Sequence, residues 1–148
     1  GAYKELKNRA DICEKILKEF GVRNLKHAHI INGHIPVKTI KGESPIKADG
    51  RLLVIDGGYS KAYQPETGIA GYTLIFNSQS LKLVQHAPFT TREKAVKFGL
   101  DILSETKVLE FEESRRYVRD TDQGEEIKEQ IDDLYQLLEA YRNGSIHA

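Results

Sequence analysis

Two hydrophobic periods meet in this sequence, and their order restricts the chain to a mixed α/β class. Residues 3–20, "YKELKNRADICEKILKEF", repeat apolar side chains every three or four positions, at Leu6, Ala10, Cys13, Leu17 and Phe20. That spacing is one face of a helix. Between residues 21 and 90 the period is lost. Apolar residues come there in short runs, "HIIN", "RLLVID", "YTLIFN" and "LKLVQH", separated by Gly, Pro, Asn and Ser. Such runs suit buried strands and are too short for confident helices. The helical period returns after residue 90, so helices flank a mixed, mainly antiparallel sheet.

Local signals refine this outline. Gly21 is expected to stop the first helix in a left-handed conformation, with Val22 folding back on its last turn. The strand at "HIIN" is expected to bury Ile30 and Ile31. Ser44-Pro45 disfavours helix at Ser44, and Asp49-Gly50 suits a tight reversal. "RLLVID", "YTLIFN" and "LKLVQH" follow one another, the last two across Asn77-Ser78-Gln79-Ser80, and predict an antiparallel meander. Thr90 with Glu93 reads as a capping box. It opens a helix with Val96, Leu100 and Leu103 in register that continues to about Arg119. Glu110, Glu112 and Glu113 then lie on a helix and face solvent. Asp122 and Glu125 mark another helix start, with Ile127, Ile131, Leu134, Leu138 and Tyr141 on one stripe. A stripe of that kind is core or a partner contact. The organisation expected is one domain over 1–148, with 1–90 carrying the strands and loops and 91–148 the helices.

The 148 residues carry 22 Lys and Arg against 22 Asp and Glu, a formal net charge of zero. Nucleic-acid and membrane surfaces need a concentrated basic excess, so neither is an expected partner. No apolar run approaches the ~20 residues of a membrane span. The single cysteine, Cys13, excludes an intrachain disulfide and a Cys-rich zinc site. On an apolar helical stripe it packs as a small hydrophobe. A reducing, cytoplasmic setting follows as the expectation. The chain opens on Gly1-Ala2 without an initiator methionine and is expected to be a piece of a longer protein.

Phosphate-loop, dinucleotide, zincin and nucleophile-elbow motifs are absent. The informative stretch is "HIINGHIPVK" (29–38), which ends an apolar run and presents one imidazole between Gly33 and Pro36. Ligand sites in α/β sheets collect beyond the carboxyl ends of strands, and His34 falls at such an end. Gly33 leaves room for close approach. A lone histidine in a turn is by default an ordinary polar residue, and this context sets a functional reading beside that one. The loop "DGGYSKAYQPETGIAGYT" (56–73) offers Lys61, the hydroxyls of Tyr59 and Tyr63, and backbone amides at Gly57 and Gly58. With Lys38, Lys41 and Lys47 these could bind a phosphorylated anion. His27 and His29 share a face only if the strand begins at His27, and they are not chosen as ligands. His86 sits at a strand end and His147 in the terminal tail.

Across residues 32–86 the motifs "NGHIPVK", "KGESPIKADG" and "VIDGGYSKAYQPETGIAGYTL" resemble the C-terminal part of class III fructose-1,6-bisphosphatases, members of the calcineurin-like metallophosphatase superfamily. The resemblance implies part of a metallophosphatase sandwich. It also implies a gluconeogenic hydrolase that removes phosphate from fructose 1,6-bisphosphate at a two-metal, commonly manganese, centre. The superfamily's late Gly-His motif supplies a metal ligand, and the resemblance implies that role for His34 at Gly33-His34. Lys38, Lys47, Gly57, Gly58, Tyr59 and Lys61 are then expected around the substrate. Pro36 stands where a G-H-x-H ending would place a second ligand. The earlier motifs G-D-x-x-D-R-G and G-N-H-[DE] are not in these 148 residues. The chain is therefore expected to be inactive alone and not to hold manganese by itself. A half-sheet with an exposed edge would favour homo-oligomers. The alternative reading is a non-catalytic sugar-phosphate-binding or dimerisation module.

Overall fold

The computed structural model describes residues 1–58, 60–69, 71–88, 91–101 and 103–147. Two compact units appear, residues 1–114 and 115–148. The chain is α/β, with two small, mostly antiparallel sheets.

In the first unit, the expected helix over 3–20 is two helices, α1 (Ala2–Leu6) and α2 (Ala10–Glu19). Arg9 interrupts them in an extended conformation, and its guanidinium holds Asp11 at 2.6 Å. Lys7, in the break, reaches across to Glu43 at 2.8 Å. Phe20, expected on the buried stripe, is 84% exposed because α2 ends before it. The stop itself follows the sequence. Gly21 has φ +79°, its N–H donates to Lys18 O at 2.9 Å, and Val22 N–H donates to Leu17 O at 3.1 Å. That paired closure is the usual way a helix end satisfies its last carbonyls.

Strand β1 (Ile30–Asn32) runs parallel to β3 (Leu52–Val54), and β2 (Ile46–Lys47) lies antiparallel on the other side of β3. Central β3 is buried throughout, and Leu53 is fully covered. Cys13 of α2 packs with Val37, Ala48, Leu52 and Val54, while Ala10, Ile30 and Tyr72 close the margin. Ile31 is 55% exposed, against expectation. Neighbouring strand residues point to opposite faces, so Ile31 shares a face with its partner Leu53, which is covered at the centre of the sheet, while β1 lies at the sheet's edge.

The second sheet is β4 (Gly71–Phe76), β5 (Ser80–His86) and β6 (Ser104–Phe111), an antiparallel meander. The hairpin between β4 and β5 is the expected one. Asn77 Oδ1 accepts from the N–H groups of Gln79 and Ser80 at 2.9 and 2.8 Å and fixes the turn. The expected meander partner was "RLLVID", but β3 belongs to the first sheet and β6 takes its place. Residues 104–111 are strand, not helix. They form an edge strand, exposed except at Leu109 and Glu110, so no buried alternation marks them in the sequence. A bulge at Leu109 breaks the register beside Glu110.

A one-turn helix, α3 (Gln64–Thr67), precedes β4, and α4 (Arg92–Phe98) is capped by Thr91, whose Oγ1 accepts from Lys94 N–H at 3.2 Å. The expected cap, Thr90, lies outside the described residues. The helix stops at Gly99 (φ +59°), and Val96, Leu100 and Leu103 are exposed instead of forming a buried stripe.

The second unit is a 21-residue helix, α5 (Asp122–Arg142), preceded by a 3-10 turn (Val118–Asp120). Thr121 caps it through Gly124 N–H at 3.1 Å, and Asp122 and Glu125 place negative charge at its N-terminus as the sequence indicates.

Candidate functional site

Because β1 and β3 are parallel, their carboxyl ends lie on the same side of the sheet. Two loops leave there together. Ile55 N–H donates to Asn32 O at 2.9 Å, and Val37 N–H donates to Asp56 O at 2.9 Å. The first loop carries His34. Its φ is +70°, and Ile35 N–H donates to Gly33 O at 2.9 Å across it. A bond from residue i to i+2 around a positive φ is a tight γ-turn, uncommon and strained for a side chain larger than glycine. His34 is exposed, with no hydrogen bond to its ring among the described residues. Gly33 likewise faces open space at its Cβ position.

The second loop carries Gly57 and Gly58, both buried. A Cβ on Gly57 would lie 2.4 Å from the Gly71 Cα, and one on Gly58 would lie 2.8 Å from Thr67 and Tyr63 carbons. The Gly58 N–H is already taken by Asp56 Oδ1 at 2.8 Å. These glycines thus serve close packing of the loop against β4 and the Tyr63–Thr67 turn. Pro36 stands beside Gly58, so the histidine loop and the glycine loop touch.

The other predicted contacts divide. Lys61 is exposed in the turn that follows the glycines. Lys38, on the histidine loop, is engaged with Glu66 at 2.8 Å. The hydrogen bond and charge of that partner raise the Lys38 ammonium and lower the Glu66 carboxyl. Lys47 is not brought to this edge. It pairs with Leu52 at the amino end of β3, is 9% exposed, and holds Glu43 at 2.9 Å. Tyr59 lies outside the described residues.

Glu43 joins three segments. Its Oε1 takes Lys7 and Lys47, and its Oε2 accepts from Lys38 N–H at 3.2 Å. Hydrogen bonds from Lys7 and then Lys47 outweigh burial and hold the carboxyl at about 2. A depressed carboxyl contributes stability that is complete above its ordinary range and is lost as pH falls toward the folded value. At ~1.4 kcal/mol per pKa unit, discounted for partial exposure, Glu43 is worth on the order of 2 kcal/mol. Glu43→Gln is expected to lower the urea unfolding free energy by about that amount at pH 7 and to flatten its fall between pH 4.5 and about 2. Superimposable pH profiles for the two proteins would remove this role.

A further cluster was not legible in the sequence. His27 meets Glu110 through Nδ1 at 3.0 Å and Glu112 through Nε2 at 2.9 Å. His29 meets the Gly50 carbonyl through Nδ1 at 2.7 Å and Glu110 through Nε2 at 3.0 Å. Lys26 adds a contact to Glu112 at 2.9 Å. Burial opposes ionisation of Glu110, yet the hydrogen bonds and charges of the two histidines lower it on balance. The cluster ties the segment before β1 to β6, beside a cavity of about 930 Å3 that Lys47, Arg51 and Lys107 also line. The expectation that Glu110 and Glu112 lie on a solvated helix is thereby corrected.

Among the described residues no group of three or more His, Cys, Asp or Glu side chains is placed to hold a metal ion. A stable metal centre needs three or four protein ligands. His34 on its own therefore does not fit the two-metal centre that the resemblance implies. No helix among the described residues is long and apolar enough to cross a membrane.

The exposed imidazole and the glycine-rich loop thus lie beyond the carboxyl ends of the parallel strands of an α/β protein, the position at which such sheets collect ligand sites. Residues 1–143 match the family described as Firmicute fructose-1,6-bisphosphatase, and the chain belongs to that family. It is 61% identical over 146 residues to the class 3 fructose-1,6-bisphosphatase of Bacteroides thetaiotaomicron, covering 99% of this chain and 22% of that protein. The class 3 enzyme of Listeria monocytogenes is 58% identical over 145 residues, covering 98% of this chain and again 22% of the relative. The chain thus spans about a fifth of the length of the curated relatives it matches. No solved structure matches it.

Proposed function

We propose that the chain acts as the C-terminal part of a metal-dependent phosphatase that hydrolyses fructose 1,6-bisphosphate, with His34 as one ligand of a centre completed by residues beyond these 148. The observation that carries this reading is the backbone at His34. A positive φ is costly for histidine and is kept where the surrounding structure serves a site. Here it presents a ring without an internal partner at the edge where two strand-end loops converge. Manganese as the metal, a gluconeogenic role and a cytoplasmic location belong to the same proposal. Gly57 and Gly58 shape the loop beside the histidine, and Lys61 and Tyr59 follow directly in the chain. Lys38 would have to leave Glu66 to meet a phosphate, and Lys47 would act from the opposite end of the sheet.

The test is turnover by the 148-residue chain alone. With manganese and fructose 1,6-bisphosphate it is expected to release no phosphate above background. Release that scales with protein and stops on chelation would show that the catalytic ligands are all present here and would overturn the proposal.

A further inference from the structure

The left-handed backbone at His34 needs a support that its immediate neighbours do not supply. A residue larger than glycine keeps φ +70° only where the surrounding structure over-determines it. Yet the ring has no hydrogen bond among the described residues, and a Cβ on Gly33 would meet nothing within 4 Å. The turn is closed by the bond from Ile35 N–H to Gly33 O. A single hydrogen bond is worth no more than such strain costs.

The support lies in the loop's exit. From Pro36 to Ile40, successive residues meet fixed counterparts on the glycine loop and on α3. Pro36 stands 3.3 Å from the Cβ position of Gly58, and Val37, itself 1% exposed, donates its N–H to Asp56 O at 2.9 Å. Lys38 holds Glu66 at 2.8 Å. The Thr39 hydroxyl donates to the Thr67 carbonyl, and a Cβ on Gly68 would lie 2.7 Å from Ile40 Cγ1. Thr67 is where the two loops meet. It is 1% exposed, its Oγ1 donates to Tyr63 O at 3.2 Å, and its Cγ2 lies 2.8 Å from the Cβ position of Gly58. Its carbonyl is therefore a fixed acceptor. Of the polar side chains in this exit, Lys38 makes an exposed ion pair, which constrains little. The bond from part-buried Thr39 is directional and does constrain.

We propose that Thr39 is a positioning residue for His34: its bond to the Thr67 carbonyl seats the loop's exit on α3 and so holds the imidazole turn in its left-handed form. The consequence for turnover rests on the phosphatase reading; the consequence for the backbone does not. A positive φ brings an amide hydrogen close to its own Hα, so a strong intraresidue cross-peak at His34 reports the turn. In NMR spectra of the 148-residue chain that cross-peak should be present. It should be lost in Thr39→Val and kept in Thr39→Ser, which retains the hydroxyl. A wild-type chain without it, a valine variant with it, or a serine variant lacking it would each overturn the proposal. Where valine prevents folding, Ile40→Ala, at a side chain 62% exposed, loosens the same seat, and an unchanged cross-peak there would overturn it equally. In a full-length phosphatase that carries this segment, Thr39→Val should lower kcat by about 10-fold or more. In a His34→Ala background it should cost nothing further, because a positioning residue acts only through the group it positions. Additive losses would make Thr39 merely structural and overturn the proposal. Equal turnover of the wild type and His34→Ala would instead sink the phosphatase reading, and the cross-peak would still decide the role of Thr39.

Discussion

Replacing His34 by alanine in a full-length phosphatase that carries this segment is expected to lower fructose 1,6-bisphosphate hydrolysis by on the order of 100-fold or more. The melting temperature should hold or rise. The side chain is exposed and makes no internal hydrogen bond, so its removal leaves no cavity and no orphaned partner. The backbone argument sharpens the experiment. At φ +70° a glycine is more comfortable than any side chain, and His34→Gly is expected to stabilise the fold by about 1 kcal/mol while abolishing activity as alanine does. A residue kept for stability would give the opposite pairing. Unchanged turnover of either variant at saturating manganese would sink the ligand assignment.

The second large effect concerns the fold under the same edge. Gly57→Ala places a methyl 2.4 Å from Gly71 Cα, 3.0 Å from its N and 3.2 Å from its carbonyl carbon. All three atoms are backbone, so no rotamer can give way and either the glycine loop or β4 must move. Overpacking of this kind costs about 3 kcal/mol or more. In a chain of this size that corresponds to a fall of roughly 6–12 °C in melting temperature. Displacement of residues 55–58 would also strain the bond from Val37 N–H to Asp56 O, which seats the histidine loop. Gly33→Ala is the control. It meets nothing within 4 Å at a negative φ and should change stability by no more than about 0.5 kcal/mol. Equal melting temperatures for Gly57→Ala and the unaltered chain would show that the loop and β4 have slack at this contact.

How much of this was legible in the sequence depended on whether the signal was local. The left-handed stop at Gly21, the Asn77 hairpin and the start of α5 near Asp122 are written in a few adjacent residues and appear as expected. The placement of His34 and of the glycine loop at strand ends was equally readable. What failed needed a distant partner or a buried face. Strand β6 lies at an exposed edge, so its Glu and Lys residues look helical and nothing in its pattern contradicts that. Strand β2 is two residues long and exists because β3 pairs with it. The four-residue His–Glu cluster joins positions some eighty apart, and neither half announces the other. Lys47 looked like a free cation because its partners, Glu43 and the fold around β3, are invisible to a residue count.

That same separation orders the folding of the first unit in time. The β4–β5 hairpin closes over Asn77, Ser78 and Gln79 and can form within microseconds of the segment becoming available. The contacts of His27 and His29 with Glu110 span 83 and 81 positions. They must wait until most of the unit has been made and gathered, since loop-closure entropy is spent before such contacts return anything. During synthesis, the segment ahead of β1 leaves the ribosome long before its carboxylates do. Until β6 arrives, the imidazoles of His27 and His29 face solvent, and the two sheets have no charged clasp between them.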